Sequence, residues 1–68
     1  MIDTTDDPIE ALQMAIKREE AAHQFYMKHA QLFKNEATRR MFEALANEEI
    51  KHKERLQQEL DDHYLTEM

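Results

Sequence analysis

Phe42-Glu43-Ala44-Leu45-Ala46-Asn47-Glu48-Glu49-Ile50-Lys51-His52 reads as the middle of an amphipathic helix whose apolar stripe is broken by two polar residues. Followed at helical spacing, the stripe runs Phe42, Leu45, Glu49, His52 and Leu56. A matching stripe lies upstream at Ile9, Leu12, Ile16, Glu19, His23, Tyr26, Ala30 and Phe33. Two such helices with one break between them make a hairpin, and the stripes turn Glu19, Glu49 and His52 toward its core. A carboxylate taken out of water without compensation neutralises itself or acquires a partner. For two Glu and one His, the partner that suits the donor set is a metal ion. Glu49 and His52 stand three apart, as Glu-x-x-His, so both project from one helical face.

The ends of the helices are marked unequally. Asp7 is a good N-cap, Pro8 suits the first helical position, and Glu10 follows the cap in capping-box register. Nothing then breaks the helix until about Phe33. Lys34, Asn35 and Glu36 form the turn, with Asn35 serving either as the C-terminal αL residue of the first helix or as the N-cap of the second. The organisation expected is a flexible acidic tail over 1–7, a helical hairpin over 8–60 with its turn near 34–36, and a fraying end over 61–68.

Composition narrows the classes that remain. The chain has 68 residues, no Gly, one Pro, no Cys and 35% charged residues, which describes one helical unit and excludes a disulfide scaffold. A chain this short rarely encloses a sufficient core alone, so a metal or oligomerisation is expected to supply the rest. No apolar run exceeds three residues, which excludes a membrane-spanning helix and a secretory signal core and makes the cytoplasm the default compartment. The net charge of −6, with Lys and Arg scattered among acids, excludes a nucleic-acid footprint and favours a cationic ligand.

Folding the chain back near Lys34 and Asn35 sets Glu19 level with Glu49, Ile16 with His52, Tyr26 with Phe42 and Leu12 with Leu56. Apolar layers then lie above and below a polar one. One hairpin supplies only two Glu and one His, and leaves an apolar face open along both helices. A two-fold homodimer answers both shortages by forming a four-helix bundle with doubled ligands. The fold class expected is therefore all-α, an antiparallel two-helix hairpin that dimerises, with rings or other higher homo-oligomers as an extension.

The run Glu19-x-x-Ala22-x-x-Phe25-Tyr26, together with Phe42 to His52, resembles the ferritin-like di-iron superfamily, and specifically a rubrerythrin-type half. A single hairpin is similar to the encapsulated ferritins, which complete their site across a dimer. The resemblance implies that Glu19 and His52 are terminal iron ligands, that Glu49 bridges two irons, and that Tyr26 hydrogen-bonds to the carboxylate shell. It also implies a ferroxidase or di-iron oxidase acting on Fe²⁺ with oxygen or peroxide, in iron handling or peroxide detoxification. An encapsulin shell, and so the interior of a nanocompartment, comes with the same likeness. Arg18 and Ala21 stand where encapsulated ferritins tend to carry acidic iron-access residues. No cysteine site of rubredoxin type is present, so a rubrerythrin-style electron relay would need a separate electron-donor protein.

The donor chemistry points the same way. Hard oxygen ligands with imidazole suit Fe or Mn, and Zn²⁺ is a natural substitute because affinity order alone favours it over Fe²⁺. About one iron per chain, paired as a dinuclear centre, is the expected stoichiometry. His23, Glu48 and Glu20 are accessory candidates. His23 reads more simply as a satisfied polar or partly exposed histidine, and Glu48 and Glu20 as solvated acids. Two rival readings belong to other classes. One is a non-catalytic helical dimerisation or adaptor module whose seam polar residues fix register, and the other is a metal-stabilised structural bundle without turnover.

Overall fold

The computed structural model describes residues 4–64, so the first part of the expected tail and half of the expected fraying end lie outside the described residues. The fold is all-α: helix α1 spans Pro8–Ala30, helix α2 spans Glu36–His63, and the two form an antiparallel hairpin. Asp7 begins α1 by accepting from the backbone N–H groups of Ile9 at 3.0 Å and Glu10 at 3.4 Å. Its own N–H donates to the Thr5 hydroxyl at 3.1 Å, which holds the approach to the helix.

Helix α1 ends at Ala30, short of the Phe33 that periodicity suggested. With no glycine available to take a left-handed conformation, the chain closes instead with i to i+3 bonds, Leu32 N–H to the His29 carbonyl at 2.9 Å and Phe33 N–H to that of Ala30 at 3.4 Å. Of its two candidate roles, Asn35 takes that of N-cap, its side chain accepting from Thr38 N–H at 2.9 Å. At the far end α2 stays helical through His63, past the Asp61 where fraying was expected. Side-chain bonds one turn apart hold it, Gln57 to Asp61 at 3.0 Å and Gln58 to Asp62 at 2.8 Å.

Small residues set the helix contact. Ile16 and Ala30 on α1 and Ala46 and Leu60 on α2 are the buried apolar residues, and Ala46 is 0% exposed. Neither Ala46 nor Leu60 belongs to the α2 stripe read from the sequence; that stripe, Phe42, Leu45, Glu49, His52 and Leu56, is only half-buried. Near the turn, Phe42 receives Tyr26 and Phe33 edge-on, at ring-centroid distances of 5.7 and 4.9 Å. The level pairing of Tyr26 with Phe42 is thus realised. Farther from the turn, Ile16 shares a groove with Gln57 and Leu60.

The lean of the side chains extends what each level can reach. Side chains lean toward the N-terminus of their own helix, which is away from the turn in α1 and toward it in α2. Long side chains can therefore also join an α1 residue to an α2 residue about one turn beyond its backbone level, as Glu19 joins His52. No helix among the described residues is long and apolar enough to cross a membrane.

Because Ala46 lies fully covered at the helix contact, Ala46→Leu is expected to destabilise the hairpin by about 1–3 kcal/mol through overpacking. Urea unfolding followed by circular dichroism measures this, and an unchanged midpoint would show that the helices do not close on Ala46.

Candidate metal centre

Two helices deliver the three polar seam residues to one place. Glu19 comes from the middle of α1, and Glu49 and His52 come from successive turns of one face of α2. His52 lies one turn beyond the level of Glu19, and the opposed lean of the side chains brings the pair together. The His52 Nδ1 atom lies 3.2 Å from Glu19 Oε2 and 3.3 Å from Glu49 Oε1. One donor atom from each residue falls within a group spanning no more than 4.8 Å. The side chains are 24% exposed at Glu19, 16% at Glu49 and 44% at His52, so the cluster is half-sealed, with the imidazole toward the open side.

Protons hold this cluster together. A carboxylate oxygen accepts, so His52 presents its Nδ1–H to both carboxylates, at distances longer than the roughly 2.7–2.9 Å of a well-directed charge-assisted bond. Glu19 and Glu49 each place a carboxylate oxygen in this same small group. Hydrogen bonding to Glu49 pushes the Glu19 pKa above its ordinary 4.5, with burial and the charge of Glu49 acting in the same direction and His52 against them. The Glu49 pKa is lowered by hydrogen bonding to Glu19, with His52 assisting and burial opposing.

The donor set fits a divalent cation. Donors placed around one ion at about 2.0–2.2 Å stand roughly 3.0–3.5 Å from each other, and the two His52 separations fall in that range. Two carboxylates and an imidazole are the hard and borderline ligands that Fe²⁺ and Mn²⁺ accept and Zn²⁺ tolerates. Ligation requires Nδ1 to give up its hydrogen and the carboxylates to give up theirs, so binding is coupled to proton release.

The other candidates lie outside this group. Tyr26 is half-buried between Phe25 and Phe42, and its hydroxyl makes no hydrogen bond to the three residues. Glu48 is exposed. Glu20 instead accepts an ion pair from Lys53 of α2 at 2.8 Å. His23 sits 2.9 Å from the Ala46 carbonyl; a carbonyl only accepts, so His23 Nδ1 carries the hydrogen and its Nε2 is free of it in the neutral ring. The Lys53–Glu20 pair and the His23 bond were not read from the sequence. The signal for the second was Ala46, whose lack of bulk lets an imidazole reach the backbone beside it.

A family model described as Rubrerythrin matches residues 10–68 of the chain. No curated protein and no solved structure gives a significant match.

The raised Glu19 pKa has a definite sign in stability. The folded chain holds a proton that the unfolded chain releases, so the contribution favours folding below the ordinary value of 4.5 and is lost as pH rises through the raised value. Glu49 acts oppositely, its contribution being lost as pH falls through its lowered value. Glu19→Gln keeps a donor to Glu49 without the charge, so in chelator at neutral pH it should melt higher than the parent, with a flatter dependence on pH above 4.5. Thermal melts across that range check it, and a lower melting temperature at neutral pH would contradict the raised Glu19 pKa.

Proposed function

The chain belongs to the rubrerythrin family of the ferritin-like di-iron superfamily, and from that membership we propose that two copies build a dinuclear iron centre that acts as a ferroxidase. Membership implies a di-iron carboxylate protein. The observation that carries the reading to particular residues is the convergence of Glu19, Glu49 and His52 from two helices onto one small volume. One hairpin offers three donors, fewer than two ions need. A second copy related by a two-fold axis doubles them and covers the half-buried residues Leu12, Leu45 and Leu56. The proposed assembly is a four-helix bundle.

When bound, a di-iron pair supplies two electrons together to oxygen or peroxide and so avoids releasing one-electron products. The residues' own contributions follow from their surroundings. Glu49, the least exposed of the three, suits the shared position between two ions, while Glu19 and His52 hold the flanks. Two carboxylates per chain balance one Fe²⁺, which would remove the repulsion by Glu49 that helps to raise the Glu19 pKa. Phe42, with Tyr26 and Phe33 against it, closes the turn-side end of the seam to water.

A second reading has its own support. The three side chains already hydrogen-bond among themselves, and no buried side-chain polar atom among the described residues lacks a partner. A polar layer that fixes register in a non-catalytic dimer would look the same. Anaerobic Fe²⁺ titration followed by oxygen separates the two. About one iron per chain should bind, oxidation should outpace that of free Fe²⁺, and Glu49→Ala should remove both properties. Oxidation as fast in Glu49→Ala as in the parent would leave only the structural reading.

A further inference from the structure

Openings on two sides reach Glu19, and one of them also reaches Glu49. One, beside His52, is lined by Glu19, His52, Arg55 and Leu56. In the proposed dimer it lies where a second copy must dock, because the three donor atoms converge beside it. The other is a cavity of about 270 Å³ between α1 and α2, reached from the opposite side and lined by Glu19, Glu49, Glu20, His23 and Lys53 among others. His52 does not line it. Its wall therefore holds three carboxylates and an imidazole whose Nε2 is free of hydrogen in the neutral ring, all groups that attract a cation. Against them stands one cation, Lys53, whose ammonium is tied to Glu20 at 2.8 Å and so joins the two helices across the cavity.

We propose that this cavity is the path by which hydrated Fe²⁺ reaches Glu19 and Glu49, and that the Lys53–Glu20 ion pair is its gate. The inference rests on the metal centre argued above and adds the route and its control. A half-exposed ion pair contributes little to stability, with side chains here 39% and 50% exposed, so it opens readily. While closed, it places a positive charge in the way of an incoming dication and occupies the outermost carboxylate. A dication that displaces the ammonium gains Glu20 as its first ligand. His23 and Glu49 line the same cavity. His23 is held ready for this by the bond that fixes its other nitrogen to Ala46.

The test measures loading in the full chain with Co²⁺, whose d–d absorbance reports binding without oxidation. Lys53→Met should load several-fold faster than the parent, Lys53→Arg should load at the parent rate, and Glu20→Gln should load several-fold slower. All should reach the parent's final stoichiometry, since none of these residues is among the three ligands. Lys51→Met controls for net charge: Lys51 is exposed and lines none of these openings. Circular dichroism confirms that each variant keeps its helices. If Lys53→Met loads no faster than Lys51→Met while the parent binds cobalt normally, the route is wrong and the metal centre stands. A parent that takes up no cobalt overturns both.

Discussion

Glu19 and Glu49 are brought to one place by the antiparallel pairing of two helices, and the His52 imidazole lies within hydrogen-bond reach of both. Two carboxylates so placed cannot both ionise freely, and the upward push on the Glu19 pKa records that conflict. A divalent cation resolves it, because it replaces the His52 hydrogen with a charge that satisfies all three donors. The half-sealed setting, the ligand chemistry and the dependence on pH all follow from that one crowded contact.

The same contact explains why the hairpin is so lightly built elsewhere. Its buried apolar residues are Ile16, Ala30, Ala46 and Leu60, and two of these are alanines. Small residues let the helices approach closely enough for Glu19 to meet His52 and for His23 to reach the Ala46 carbonyl. They also leave little core, so large side chains such as Phe25, Leu32 and Met41 stay more than half exposed on a single chain. A chain of this size commonly completes its core through a partner or a metal, and here the proposed dimer does both at one surface.

Much of this was legible in the residues. Asp7, Pro8 and Glu10 mark the start of α1 by capping chemistry that is local and therefore readable, and Glu-x-x-His places Glu49 beside His52 by helical spacing alone. The match to Glu19 needed only a turn near Lys34. The end of α1 was harder, because without a glycine no residue type marks it, and Phe33 keeps its apolar role after leaving the helix. Equal distance from the turn fixes backbone level, and the lean of the side chains then adds the contact of Glu19 with His52 one turn farther along. Ala46 and Lys53 were overlooked for a related reason. Burial of an alanine and reach of a lysine depend on how closely the helices pack, and a hydrophobic stripe does not record that distance.

Anomalous diffraction from crystals loaded anaerobically with Fe²⁺ tests the central claim most directly. The expected result is a pair of iron peaks across a two-fold axis, each held by Glu19, Glu49 and His52, with two chains enclosing them as a four-helix bundle. Iron bound only at exposed histidines such as His63, with the Glu19–His52–Glu49 hydrogen bonds intact, would contradict it.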